Sequence, residues 1–369
     1  MGSKVRRGFR RGASKKAPRF GSYGHGKTVD LIYKSFLSKR KFGVEIEMSN
    51  GVARVAIKRA IEETIKEDVK CCRYVLSASN TCWHVKSDMS CGVDGSDGPS
   101  GLEVSTRICS GRRDISIVSK AAKAVVKCGA SVNEHCGLHV HVDVSDFDEN
   151  DVGRLILYWM VVEKILILAL PERRWDNKYC KMLDPNEMFE KNPHNNFIQN
   201  TFIKKYSKIP RSWFEVARIF RPFDGLFSIN AAKRRTMNIN NFYKALEANT
   251  HHRKTIEFRW PEGTLCSNDI KSWIVIFVNF VDFVKSRNYF PLRFSNQKYT
   301  VSLCDVLEML GIGHCCKNFF IFDKTLNDTR KWLLNRIIDN PDDAFFSSQK
   351  EIKKQARTLL NKIQQSKGV

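Results

Sequence analysis

Between residues 41 and 49 the chain alternates strictly: Phe42, Val44, Ile46 and Met48 are apolar, and Glu45 and Glu47 fall between them. A period of two predicts a strand with one greasy face and a carboxylate pair on the other. A helix is expected from about Val52 to Val69, followed by extended pieces at YVLSAS near Val75 and at TCWHVKSDMS over 81–90. A Gly-rich turn, CGVDGSDGPSG, then delivers GLEVSTRI, in which Leu102, Val104 and Thr106 alternate with Glu103, Ser105 and Arg107. Asp114 is the expected cap of a helix that runs through Lys127 and is closed by Gly129. In HCGLHVHVDVS the alternation returns, with Leu138, Val140, Val142 and Val144 facing one way and His139, His141 and Asp143 the other.

Asp148 or Asn150 opens a long buried helix to about Leu170, with Pro171 at its end. Residues 171–235 are mixed and basic, with weak helical pieces at 197–206 and 213–220. RTMNIN reads as a short strand. TIEFRW is a clearer one, with Ile256, Phe258 and Trp260 on one side and Glu257 and Arg259 on the other. After PEGT, Asn268 is the expected cap of a long apolar helix, and residues 301–369 read as three more helices. Four strands far apart in the chain thus pair an apolar face with one carrying Glu, His, Asp or Arg. Carboxylates at i and i+2 on one face repel unless a cation sits between them. Carboxylates suit Mg²⁺ or Mn²⁺, and imidazole extends the preference toward Mn²⁺ or Zn²⁺.

Composition adds a core and an uneven charge. The chain has 369 residues, 42% of them hydrophobic, enough for one large domain or two small ones. Of the formal charge of +23, residues 1–41 carry +12, from thirteen Lys or Arg against Asp30 alone. The stretch 348–369 adds six Lys or Arg against one Glu. Basic arms of this kind contact polyanions or are simply solvated. The expected organisation is a basic, flexible arm over 1–41, a catalytic domain over 42–290 and a helical region with a basic tail over 291–369. The twelve cysteines contain no C-x-x-C, which fits reduced thiols and a cytoplasmic location. The N-terminus lacks the apolar run of a signal peptide, and Gly8, Gly12 and Pro18 break the amphipathic helix of a transit peptide. The apolar stretches 155–170 and 274–284 are interrupted by Glu163 and Lys164 and by Asn279 and Asp282, so no membrane span is expected.

Residues 21–28, GSYGHGKT, fit the letters of a phosphate-binding loop, G-x-x-x-x-G-K-[ST]. That loop needs a buried strand before it to aim its backbone N–H groups, and the preceding RRGFRRGASKKAPRF is basic and carries no such strand. The match reads as chance in a Gly-rich arm.

The segments KFGVEIEMS, WHVKSDMS followed by GLEVST, VNEHCGLHVHVD and TIEFRWPEGT, in that order, resemble the amidoligase family of the glutamine synthetase-like carboxylate–amine ligases. The resemblance runs from about Phe42 to Lys285. It extends to glutamine synthetase itself at Asn133 to His141 and at Glu257-Phe-Arg259. It implies an antiparallel sheet curved into a half-open funnel, with helices packed on its outer face and a polar face that binds ATP and two or three divalent ions, Mg²⁺ or Mn²⁺. By that likeness Glu45 and Glu47 match paired metal-binding glutamates, and Glu103 and Glu257 match further metal ligands. His139 matches the ligand of the ion near the γ-phosphate, His141 a group near the nucleotide phosphates, and Arg259 the arginine that neutralises the transferred phosphoryl group. Glu47, Glu257 and Arg259 are then the catalytic set. Asp88 and Asp143 fall at the rim without an assigned role. The chain departs from the pattern in lacking a second acid near Glu103.

The implied reaction is ATP-dependent amide or isopeptide formation through an acyl phosphate, with a carboxylate substrate and an amine acceptor, either of them small or part of a peptide or protein, and with an oligomer able to complete the site. No protein nucleophile is needed, so Cys136 reads as a structural thiol. A zinc site of His135, Cys136, His139 and His141 is disfavoured because nothing local completes a tetrahedron. Two rivals stand beside the ligase: a metal-dependent nuclease or phosphoesterase holding nucleic acid with its basic arms, and a non-catalytic binding protein on a ligase scaffold. Arg173, Arg174 and Arg221 read either as substrate-carboxylate binders or as surface residues, and Asn238 and Asn240 are undecided.

Overall fold

Strand β1, Lys41–Met48, is the middle of the sheet, because both of its edges are taken. On one side it pairs antiparallel with β4 (Leu102–Ser105) and on the other with β6 (Leu138–Asp143). The order continues outward from β4 to β3 (Trp83–Ser87) and β2 (Val69–Cys72), and from β6 to β8 (Thr255–Phe258) and β7 (Met237–Asn238). A short β5, Cys109–Ser110, pairs with the start of β1. This computed structural model describes residues 37–49, 51–72, 81–91, 101–175, 177–183, 234–247, 254–286, 302–313, 323–340 and 349–365. The YVLSAS piece, the weak helices at 197–206 and 213–220, Arg221 and the GSYGHGKT match lie outside those residues.

The sheet is open and mixed. Among the described residues every strand pair is antiparallel, in keeping with the antiparallel sheet expected, except β2 with β3, which run parallel. Its apolar face is continuous across the strands: Val85, Val104, Val44, Ile46, Val140, Val142, Ile256 and Phe258 are all essentially inaccessible. They share one core with helices α1 (Arg54–Ile65), α2 (Gly111–Lys127), α3 (Glu149–Leu166) and α5 (Ser267–Lys285). Behind β8, Phe258 stacks on Phe277 of α5 at 4.4 Å between ring centroids, and Trp159 of α3 meets Phe258 edge-on at 4.9 Å. This aromatic packing anchors the strand that carries Glu257.

Helix boundaries differ from expectation for identifiable reasons. Helix α1 stops at Ile65, because Lys66 turns left-handed (φ 58°) and returns its N–H to the Glu62 carbonyl. Val69 continues the four-residue spacing of Ile57, Ile61 and Ile65, which made it look helical, yet it starts β2. Asp114 is not the N-cap of α2. Ser110 holds that position, and Asp114 sits in the first turn, accepting from the Ser110 N–H at 2.8 Å. Gly129 does close the helix region with φ 84°. Asp148 caps α3 through a reciprocal capping box with Asp151, and the α-helix ends at Leu166, with a 3₁₀ turn over Ile167–Ala169. Cys266, not Asn268, precedes α5. A short α4, Asn240–Glu247, follows β7.

Helices α6 (Leu303–Met309), α7 (Lys324–Asp339) and α8 (Gln349–Gln365) follow α5 in the chain, as expected. Arg336 of α7 ties this region to α5, to the 3₁₀ turn at the end of α3 and to the turn after β8, bonding Asp269 at 3.2 Å, the Ala169 carbonyl at 2.8 Å and Glu262 at 3.0 Å. Among the described residues no helix is long and apolar enough to cross a membrane.

Candidate functional site

Pairing register decides which polar side chains meet. In β1, Glu45 lies opposite His139 and Glu47 opposite Glu103; in β8, Glu257 lies opposite His141 on one side and Asn238 on the other. Strand parity then sends Lys86, Glu103, Ser105, Glu45, Glu47, His139, His141, Glu257 and Asn238 to the face opposite the core. Six of the seven side chains singled out from the sequence therefore stand on one polar face, on β4, β1, β6 and β8, and the seventh, Arg259, joins it just past the end of β8 through its pair with Glu257.

The centre of that surface is His139, which is 6% exposed. Its Nδ1 is 3.2 Å from Glu45 Oε2 and 3.6 Å from Glu257 Oε1, and its Nε2 is 3.5 Å from Glu47 Oε1. Potential ligand atoms of Glu45, His139 and Glu257 all lie within 4.8 Å of one another, a span one metal ion can bridge. Glu47, Asp88 and Cys91 approach one another to the same degree at the rim. His141 Nε2 stands 3.3 Å from Glu45 Oε1 as an ion pair, and this buried nitrogen has no well-formed hydrogen bond. Arg259 pairs with Glu257 Oε1 and projects from the end of β8, its backbone N–H held by the Thr236 carbonyl at 2.8 Å.

Gly137 makes the approach of β1 and β6 possible. Its N–H donates to Glu47 Oε2 at 2.6 Å, and a Cβ there would stand 2.8 Å from His139 Nε2. The neighbouring Cys136 is buried, with its thiol on Asn133 Oδ1 at 3.2 Å, in keeping with a structural role. His135 is exposed, 3.8 Å from Glu134 Oε1, and is not a member of the Glu45–His139–Glu257 group.

The electrostatics show a face short of positive charge. Burial works to raise Glu45, but His141 and His139 reverse this and hold its carboxyl well below the usual carboxylate range. Burial raises Glu47. Burial, reinforced by Glu45, pushes Glu103 up to about 7. Burial disfavours imidazolium, yet Glu45 and Glu257 outweigh it and push His141 up to about 9. His139 is raised as well, since Glu47 and its neighbours overcome the same desolvation. Burial also opposes the charge of Glu257, but His141 and Arg259 keep it low. Protons on the imidazoles thus supply cationic charge that a divalent ion would supply in their place. The mixed carboxylate–imidazole donor set, its burial and the His141 nitrogen without a well-formed hydrogen bond all fit such an ion.

Three residues that the sequence reading left without a role complete the surface. Lys86 Nζ lies 2.8 Å from Glu103 Oε1, Ser105 Oγ donates to the same oxygen at 2.5 Å, and Asn238 Nδ2 donates to Glu257 Oε2 at 2.7 Å. Lys86 and Ser105 sit on the polar phase of alternating runs, whereas Asn238 lies on a strand of two residues and is placed by its pairing with β8. Other candidates fall away from the centre. Asp143 caps its own turn at Ser145. Arg173 pairs with Glu262 at the surface. Arg174 is buried and spends its guanidinium on the carbonyls of Arg259, Trp260 and Pro261, so it braces the β8 exit and is not free to bind a substrate carboxylate.

A family model described as "Putative amidoligase enzyme" matches residues 38–281, from just ahead of β1 into α5. The chain belongs to the amidoligase family. Every polar-face residue named above lies inside the matched span of this amidoligase, and α6 to α8 lie beyond it. No curated protein matches the chain.

Proposed function

We propose that this amidoligase is an ATP-dependent carboxylate–amine ligase, joining a carboxylate to an amine through an acyl phosphate. The observation that carries the reading is the Glu45–His139–Glu257 cluster, half-buried at Glu45 and buried at the other two, with Arg259 alongside it, on one face of an open sheet. A ligase of this class needs no protein nucleophile; it needs fixed charge around a transferring phosphoryl group and a surface that orients two substrates. A divalent ion bound here would neutralise phosphate oxygens as a Lewis acid.

The chain's own residues divide the remaining work. Glu45, His139 and Glu257 would hold the ion, and Asn238 keeps Glu257 in its rotamer by occupying Oε2. Arg259 presents a guanidinium to the equatorial oxygens of the phosphoryl group as charge shifts in the transition state. The Thr236 carbonyl fixes its backbone, and Arg174 fixes the carbonyls on either side of the turn that follows. Glu47, anchored by the Gly137 N–H, and His141, whose Nε2 has no well-formed hydrogen bond, face the same space and are the groups placed to meet nucleotide phosphates or a second ligand.

The test is release of ADP from ATP with Mg²⁺ or Mn²⁺, a mixture of amino acids as acyl donors and hydroxylamine as a generic amine. Metal-dependent ADP release coupled to hydroxamate, lost in Glu45→Ala and in Arg259→Ala, is the expected result. Cleavage of added DNA or RNA in place of ligation would move the same centre to a metal-dependent nuclease.

A further inference from the structure

The rung Lys86–Glu103–Glu47 runs across three adjacent strands, with Lys86 opposite Glu103 in the β3–β4 register and Glu103 opposite Glu47 in the β4–β1 register. Two carboxylates held directly opposite across an antiparallel pair repel, and more strongly when buried; Glu103 is 4% and Glu47 5% exposed. A cation is needed at this rung as well as at His139. The chain supplies one itself, since the Lys86 ammonium sits 2.8 Å from Glu103 Oε1 and the Ser105 hydroxyl donates to that same oxygen.

We propose that Lys86 stands in for a second divalent ion: it keeps Glu103 out of metal coordination, so that this surface takes a single ion, at Glu45, His139 and Glu257. The other approach of ligand-type groups, Glu47 with Asp88 and Cys91, already spends one oxygen of each carboxylate on hydrogen bonds. The Gly137 N–H fills Oε2 of Glu47, and the Ser90 N–H and hydroxyl both fall on Oδ1 of Asp88, at 2.8 and 2.6 Å.

A tethered ammonium differs from a bound ion in one functional respect. It cannot dissociate, so the Glu103 side of the surface stays neutralised at any metal concentration, and only the His139 side loads and empties. The inference rests on the metal-binding part of the proposed function and not on the reaction. A wild type that binds one ion and ligates nothing would sink the reaction and leave the role of Lys86 standing.

The experiment is a Mn²⁺ titration of the full chain followed by electron paramagnetic resonance of the free ion, without nucleotide. Wild type is expected to bind one Mn²⁺ tightly, and Glu45→Gln to lose it. Glu103→Gln is expected to keep the count, with affinity within about 2-fold, whereas removing a true ligand or its support costs roughly 10–100-fold. Lys86→Arg keeps a count of one. Lys86→Met frees Glu103 and adds a second ion, which Lys86→Met/Glu103→Gln removes again. The proposal is overturned if wild type binds no Mn²⁺ or two, if Glu103→Gln loses the ion or about 10-fold or more of affinity, or if folded Lys86→Met still binds one. The Glu103→Gln arm decides alone should Lys86→Met fail to fold.

Discussion

Replacing Gly137 by alanine adds one methyl group at the most crowded point of the site. The new Cβ would lie 2.8 Å from His139 Nε2 and 3.3 Å from both Glu47 Oε2 and His139 Cδ2. The shortest of these is about 0.7 Å inside the ~3.5 Å at which non-bonded heavy atoms come to rest, so an atom must move. The imidazole has little room to do so: it is 6% exposed and flanked by Glu45 at 3.2 Å, Glu47 at 3.5 Å and Glu257 at 3.6 Å. Overpacking of this kind costs about 1–3 kcal/mol of stability. Displacing a ligand by several tenths of an ångström is comparable to losing its supporting contacts, about 10–100-fold in metal affinity. Gly137 does not lie in the left-handed region, so the loss comes from the side-chain clash and not from the backbone. Isothermal titration with Mn²⁺ and a urea melt read both quantities. Gly137→Ala binding Mn²⁺ within about 2-fold of wild type, where the clash calls for 10-fold or more, and melting alongside it, would refute the claim that His139 is fixed by its neighbours at the metal centre.

Other consequences concern separate parts of the account. Asn238→Ala releases Oε2 of Glu257 and is expected to weaken Mn²⁺ binding about 10-fold while leaving the fold intact by circular dichroism. Arg174→Met removes the guanidinium donor from the carbonyls of Arg259 and Trp260, while Pro261 keeps the Leu138 N–H at 3.2 Å, and should cost roughly 2 kcal/mol or more in a denaturant melt. Excess Mn²⁺ at about 100 times Kd should add about 2.7 kcal/mol to unfolding, an increment that EDTA removes and that Glu45→Gln never shows. Glu163 is buried in α3, accepting from the Leu183 N–H and the Thr236 hydroxyl, and burial pushes it up to about 8. A carboxyl raised in the folded state stabilises most fully below its unfolded value, and that contribution fades as pH climbs from about 4.3 through the folded value, by up to ~1.4 kcal/mol per pH unit. The stability of wild type relative to Glu163→Gln should therefore fall between pH 5 and pH 8 in urea melts, and a flat difference would contradict the burial argument.

The site was legible wherever the chain alternates. In β1, β6 and β8 the period of two separates core from chemistry residue by residue, and the register then brought Glu45, His139, Glu257 and Arg259 together. What alternation cannot convey is which strands are neighbours. Nothing in the sequence gives Lys86 a partner, and only the placement of β3 beside β4 sets it against Glu103. Asn238 lies on a strand two residues long, too short for any periodicity, and its bond to Glu257 is a product of the β7–β8 pairing. The parallel run of β2 beside β3 carries no local signature, and the start of β2 was hidden because Val69 extends the helical spacing of α1. Arg174 read as a surface arginine or a substrate-carboxylate binder and is neither, because a sequence does not show which carbonyls converge on a buried guanidinium. The amidoligase motifs carried the family from sequence alone, and they bear no information on α6 to α8 or on the brace that Arg336 makes to Glu262 and Asp269.

The most direct test of the central claim is a crystal structure grown with Mn²⁺ and a non-hydrolysable ATP analogue, with anomalous data collected at the manganese edge. The account predicts a manganese peak between Glu45, His139 and Glu257, with the terminal phosphate of the nucleotide against Arg259. Manganese elsewhere, or nucleotide phosphates cradled by residues 21–28 instead, would contradict it.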